Sequence, residues 1–195
     1  FSALFLLHNA SFAQAKPPVK MGAIFSLSGP AAAFGIPMRD GVVAAVEEVN
    51  KQGGIDGRKV EIVFIDDKTD PGEAAKAAIQ LINRDRVITI LGPGTGGSVM
   101  AVGPIAERSK VPLVSPSATI AIIDKKSQFY PWIFRSSTSD DVNVKAILSF
   151  MARQGSKRIA VFHQEDAYGK TGLDVARIYA NQSNLEIVAV ASAPY

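Results

Sequence analysis

Short apolar runs alternate along this chain with longer stretches in which apolar residues return at helical spacing. The run over 19–25, VKMGAIF, reads as a first strand, followed by the turn-rich Ser26-Leu27-Ser28-Gly29-Pro30. Over 36–52, Val42, Val43, Val46 and Val49 recur with Glu47, Glu48 and Lys51 between them. That period predicts a helix, which Gly53-Gly54 ends. After the turn Ile55-Asp56-Gly57-Arg58, the β-branched run over 59–65 predicts a second strand. Asp66-Asp67-Lys68-Thr69-Asp70 closes it, and Asp70 followed by Pro71 signals a helix start. Ala74, Ala77, Ala78, Leu81 and Ile82 give that helix an inner face up to about Arg84.

The alternation continues with a strand over 87–91, a glycine-rich loop over 92–97 and a helix over 98–108. A strand over 111–114 leads into the loop 115–118, and a short strand is expected over 132–135. Ser136-Ser137-Thr138-Ser139 can cap a helix over 140–153. A strand over 158–162, a loop over 163–168, a helix over 169–182 and a strand over 185–190 complete the pattern. Strands alternating with helices of this length predict right-handed βαβ units and a parallel sheet. Ligands in such folds sit beyond the carboxyl ends of the strands. Segments 26–35, 66–70, 92–97, 115–119 and 163–168 therefore lie on functional edges, and the break over 135–139 is a candidate crossing between two lobes.

Two of these edges answer each other. Leu91 to Ser98 and Val111 to Thr119 each run from a strand into a loop of small residues. Such loops leave backbone N–H groups free at a helix N-terminus, where an anion can be held. Together they predict one wall of a site for the carboxylate of a small molecule.

Composition narrows the class. The length of 195 residues allows one large or two small domains, and 47% hydrophobic with 20% charged residues fits a globular protein. A net charge of +3 without a dense Lys/Arg cluster argues against nucleic-acid binding. There is no cysteine, hence no disulfide framework, thiolate nucleophile or Cys-type zinc site. Residues 1–15, FSALFLLHNASFAQA, carry no Lys, Arg, Asp or Glu and end in a small-x-small pattern before Lys16. They read as the back half of a secretory signal peptide, so the mature protein is expected to be exported and soluble.

Several features in order resemble the periplasmic branched-chain amino-acid binding proteins, the solute receptors of ABC importers. They are Ser28-Gly29-Pro30 with Gly35; Asn50 before Gly53-Gly54-Ile55 and Gly57; Asp66-Asp67 with Asp70-Pro71; Gly92-Pro93; Ser115-Pro116-Ser117-Ala118-Thr119; and Tyr168-Gly169. The resemblance implies a two-lobed α/β fold, with parallel sheets flanked by helices, that closes on its ligand like a hinged clam. It implies a first lobe over 16–135 and the start of a second over 136–195, with the second lobe incomplete. It also implies that Thr119 grips the ligand carboxylate through its hydroxyl and N–H. Ser117 and Ala118 stand beside it, Phe34 covers the ligand from the first lobe, and Tyr168 covers it from the second. Where the family commonly places a serine, this chain has Gly96. Thr95 or Ser98 can substitute, or the Gly96 N–H acts alone. The acidic side chain that meets an amino-acid ammonium in the family is expected beyond Tyr195.

Other readings stand beside these. Gly92-x-Gly94-x-x-Gly97 matches a dinucleotide fingerprint in form. However, it follows the third strand, carries Pro93, and has no acidic residue about 20 positions on. The same glycines can serve tight helix–strand packing. Asp66, Asp67 and Asp70 lack a full calcium-loop pattern and fit a turn and a helix cap. Asp140 and Asp141 either approach a ligand from the hinge or serve as N-terminal helix charges. His163, without a Ser or Cys partner in a known motif, reads as structural, and Phe34 can equally pack onto the core. The expectation is a non-catalytic receptor, monomeric, without cofactor or metal, that delivers a small carboxylate or amino-acid ligand to a membrane permease. A sensory domain of the same fold and a nucleotide-dependent α/β enzyme are the alternatives.

Overall fold

The computed structural model describes residues 16–117, 119–123, 126 and 129–194; the expected signal peptide and Ala118 lie outside the described residues. The chain begins with β1 (Val19–Phe25), α1 (Ala32–Lys51), β2 (Val60–Asp66), α2 (Pro71–Asn83) and β3 (Ile90–Leu91). It continues with α3 (Gly96–Ser109), β4 (Leu113–Ser115), a 3-10 turn (Ile120–Ile122) and β5 (Ile133–Arg135). Then come α4 (Asp140–Arg153), β6 (Arg158–Gln164), α5 (Ala167–Gln182) and β7 (Glu186–Ala193).

The first five strands form one parallel sheet in the order β2-β1-β3-β4-β5. The chain leaves β1 to one side for β2 and returns to the other side for β3, which opens a crevice between β1 and β3 at their carboxyl ends. One sheet face is covered by α2 and α3. Ile24, Leu81, Ile90, Val99, Val102, Ala106 and Leu113 are fully buried there, each large side chain contributing roughly 1.5–3 kcal/mol. Gly22 leaves room for Leu81, whose Cδ1 lies 2.7 Å from where a Cβ would stand. β6 and β7 form a second parallel sheet, packed with α4 and α5 around Leu148, Ile159, Ala176, Ala180 and Leu185.

The element order matches the pattern of apolar positions, but three helices begin earlier than periodicity predicts. α1 starts at Ala32 rather than 36 and contains Pro37. The start is set upstream, where Phe34 and Gly35 N–H both donate to the Ala31 carbonyl. Pro37 removes one helical bond, to a carbonyl on the exposed Ala33 that water can satisfy. α3 starts at Gly96 rather than 98, because Thr95 is the cap. α5 starts at Ala167 rather than 169, because Asp166 is the cap. β3 is shorter than 87–91, since Val87 N–H turns back to the Leu81 carbonyl and closes α2. Ser139 stands at the start of α4 without capping it through its side chain.

Candidate ligand-binding site

The first wall of the site is the β1–α1 loop. Gly35 is buried in the first turn of α1, and a Cβ there would lie 2.0 Å from the Ser26 carbonyl oxygen. Only glycine lets the helix start directly on the end of β1, and this close approach turns Phe34 outward, 61% exposed. The neighbouring β2–α2 loop braces this wall. Ser26 Oγ donates to Asp67 Oδ1 at 2.6 Å, and Asp67 also accepts the Thr69 N–H at 2.9 Å. Asp66 accepts from the Leu27 N–H at 2.8 Å and from Ser28 Oγ at 2.6 Å. Burial alone pushes the Asp66 carboxyl up, but hydrogen bonds from Ser28 Oγ and the N–H groups of Lys68, Leu27 and Ser28 hold it below the usual range. Asp70 caps α2 through the Glu73 N–H at 2.8 Å. The acidic cluster is thus a turn and a cap that join two loops.

The second element is the β3–α3 turn. Gly92, at φ +87°, runs so close to β1 that a Cβ would lie 2.0 Å from the Ile24 carbonyl oxygen. Thr95 then caps α3, with Ser98 N–H donating to Thr95 Oγ1 and Val99 N–H to the Thr95 carbonyl. The N–H of Gly96, first in the helix, has no helical partner by position. β4 supports this turn: Ser115 Oγ donates to the Pro93 carbonyl at 2.7 Å and accepts from the Ser117 N–H at 3.1 Å. Ser117 Oγ lies 3.0 Å from Thr119 Oγ1.

The facing wall is the β6–α5 loop. Asp166 caps α5 through the Gly169 N–H at 2.9 Å. Gly169 presses on the end of β6, with its Cβ position 2.1 Å from the Gln164 carbonyl oxygen. This throws Tyr168 forward, 40% exposed. There α5 meets α3: the Cβ position of Gly96 lies 2.7 Å from Tyr168 N and 2.8 Å from Tyr168 Cβ.

Between these walls lies a cleft of about 370 Å³, at the carboxyl ends of β1 and β3. Its size suits a small molecule. Phe25, Phe34, Met38 and Tyr168 give it an apolar body; Thr95, Gly96, Ser117 and Gln164 supply polar groups. The N-termini of α3 and α5 both open on it; the open N–H groups at the start of α3 favour an anion there, while the Asp166 carboxylate already caps α5.

Of the residues singled out from sequence, Phe34, Thr95, Gly96, Ser117 and Tyr168 share this lining. Ser98 and Thr119 are fully buried behind it. Ala118 is outside the described residues. Sequence reasoning located the edges but missed Phe25, Met38, Gln164 and Asp166 as lining. Three of these, Phe25, Gln164 and Asp166, sit at strand ends or caps, where the edge rule could have found them; Met38 lies one helical turn after Phe34. Asp140 does not line this cleft. It borders a second cavity of about 310 Å³ with His163 and Tyr168, and its Oδ2 has no hydrogen-bond partner among the described residues. Burial pushes its carboxyl up to about 6; Arg135 opposes the shift and Asp141 adds to it. His163 Nδ1 lies 2.6 Å from the Gln164 carbonyl oxygen.

The fold and the cleft define a bilobal α/β binding protein, with its ligand space at a topological switch point. A family profile described as "Periplasmic binding protein" matches residues 18–195, and the chain belongs to that family. It is a family of solute-binding receptors and not of enzymes. The chain is 32% identical over 171 residues to the leucine-, isoleucine-, valine-, threonine- and alanine-binding protein of Pseudomonas aeruginosa, covering 87% of this chain and 45% of that protein. The solute-binding protein of an ABC transporter from Rhodopseudomonas palustris, solved with 3,4-dihydroxybenzoic acid, superposes with a TM-score of 0.79 at 27% identity. That match covers 91% of this chain and 47% of that one. LivJ of Streptococcus pneumoniae, a branched-chain amino-acid transporter substrate-binding protein solved with isoleucine, gives 0.77 at 31%, covering 91% and 50%. The chain spans about half the length of the curated relatives it matches.

Proposed function

We propose that this protein is an extracytoplasmic, monomeric solute receptor of an ABC importer that holds a small carboxylate, with an amino acid the first candidate, between a lobe over 16–135 and a lobe begun over 136–195. The observation that carries this reading is the open N-terminus of α3, at Gly96, on a cleft with apolar walls. A carboxylate there gains charge-assisted hydrogen bonds from the Gly96 N–H and from the hydroxyls of Thr95 and Ser117, each stronger than a neutral bond. The apolar body of the ligand lies against Phe25, Phe34, Met38 and Tyr168. Binding favours the arrangement in which both walls touch the ligand, and so shifts the lobes toward closure.

Relatives that bind branched-chain amino acids and one solved with an aromatic acid bracket the ligand class. The leader-like 1–15 and the family support export to the periplasm and delivery to a permease. Among the described residues no helix is long and apolar enough to cross a membrane. Calorimetric titration with leucine, isoleucine and 3,4-dihydroxybenzoate tests the reading. Saturable binding of at least one acid, absent for its carboxamide, supports it; no binding of any acid rejects it.

A further inference from the structure

We propose that Met38 selects the ligand by the size of its apolar body: its thioether fills the space that a side chain at position 94 would take, and forms an adjustable end wall of the cleft. This rests on the carboxylate-receptor reading above and adds which side chain limits the uncharged part of the ligand.

The helix that carries Met38 is held firmly at its start. Gly35 sits against the Ser26 carbonyl, and the Phe34 and Gly35 N–H groups donate to the Ala31 carbonyl. Phe34 and Met38 are four residues apart, so they share one face of α1. Both line the cleft, in different settings. Phe34 is exposed, whereas Met38 is half-buried and reaches across to the turn between β3 and α3.

The contact there is with Gly94. Gly92, two residues earlier, needs glycine for its φ of +87° and its closeness to the Ile24 carbonyl. Gly94 has no positive φ, so its backbone makes no such demand. What a side chain at 94 would meet is Met38: a Cβ would stand 2.9 Å from Met38 Sδ and 3.4 Å from Met38 Cε. Among the described residues, its chain neighbours aside, it would meet nothing else within 4 Å. Positions 38 and 94 are therefore a matched pair, one long and flexible, the other empty.

This pair stands close to where the carboxylate is held. Gly94 and Gly96 are two residues apart, so their Cα atoms are separated by at most about 7 Å. A leucine side chain spans a comparable length from its carboxylate; the single methyl group of alanine does not. Methionine is unbranched and turns about three bonds, so its thioether adapts to the body it meets. A methyl group at 94 takes away the seat of the thioether and turns it into the cleft, where it competes with a large ligand and leaves room for a small one.

A double-mutant cycle tests this, with Met38→Ala, Gly94→Ala and the pair, and with leucine, alanine and 3,4-dihydroxybenzoate as calorimetric probes. Gly94→Ala is expected to weaken leucine by about tenfold and alanine by less than about threefold. In the Met38→Ala background, where no thioether remains to be displaced, the same change at 94 is expected to leave leucine within about twofold. If 3,4-dihydroxybenzoate is the acid that wild type binds, the cycle is read on it with the same expectation. An equal loss from Gly94→Ala in both backgrounds would overturn the proposal, as would an equal loss of leucine and alanine, which places the disturbance at the charged end. Should Gly94→Ala fail to fold, recovery of folding and binding in the pair supports the displacement, and a pair that also fails to fold overturns it. If wild type binds none of the three acids, the receptor reading falls and this assignment with it; binding with an additive cycle overturns the role of Met38 alone.

Discussion

The cleft is walled by two strand-to-helix steps of similar design that are held in place differently. After β1, Phe34-Gly35 opens α1; after β6, Tyr168-Gly169 opens α5. In both, the glycine sits on the last carbonyl groups of the preceding strand, at Cβ distances of 2.0 Å and 2.1 Å, and the aromatic residue before it faces the cleft. The first step is braced within its own lobe by Asp66, Asp67 and Thr69 from the neighbouring loop. The second has its own Asp166 cap, a bond from the Glu165 N–H to the Ala193 carbonyl and a surface bond from Ser192 Oγ to Glu165, and it meets Gly96 across the cleft. One wall is a platform. The other is a jaw whose rest position depends on what it meets.

Gly35→Ala and Gly169→Ala should have the largest effects, since each Cβ would run into backbone. Both should lose about 2–4 kcal/mol in denaturant unfolding. Equal stability to wild type in either would break the idea that the two steps share a design. Asp67→Ala comes next. It removes the acceptor for Ser26 Oγ and the Thr69 N–H in a fully buried setting. The expected loss is about 1–3 kcal/mol, measured in the same way. Asp166→Ala should lose only about 1 kcal/mol, as for an ordinary helix cap. If Asp166→Ala were the more damaging of the two, the platform and the jaw would have to be exchanged.

Much of this was legible before the structure. The strands, the parallel order and the functional edges follow from apolar period and turn chemistry, and Phe34, Thr95, Gly96, Ser117 and Tyr168 do meet in one cleft. The starts of α1, α3 and α5 were not legible, because Pro37, the Gly96-Gly97 pair and Gly169 look like helix breakers in sequence. In the structure Gly96, Gly97 and Gly169 lie within the first turns, where open N–H groups or close strand contacts suit them, and Pro37 lies in the second turn of α1 at the cost of one helical bond. That shift places Phe34, Gly96 and Tyr168 in helices rather than in loops. The burial of Ser98 and Thr119 is a result of tertiary packing that no local pattern encodes.

Smaller effects sharpen the contrast between the walls. Phe34→Ala and Tyr168→Ala should leave the melting temperature within a few degrees of wild type, because both side chains are substantially exposed. Tyr168→Ala should weaken ligand binding by about tenfold and Phe34→Ala by less, the jaw having no other apolar side chain of its size on the cleft among the described residues. Equal losses in calorimetry would show that both walls grip alike. Asp140 gives the smallest signal. With its folded-state carboxyl raised to about 6, above its unfolded value, its contribution to stability is complete below the unfolded pKa. That contribution is lost as pH rises through about 6. Thermal melts should therefore show a gain from pH 7 down to pH 5 that Asp140→Asn lacks; an identical pH profile in the variant would refute the assignment.

The central claim is that a carboxylate sits at the α3 N-terminus, in the cleft between the two walls. An amide-resolved NMR titration with leucine and 3,4-dihydroxybenzoate tests it most directly. The predicted result is a saturable shift of the Gly96 and Ser117 amides with at least one acid and none with the corresponding carboxamide. Saturable shifts confined to the second cavity around Asp140 and His163, with Gly96 and Ser117 unmoved, would contradict it.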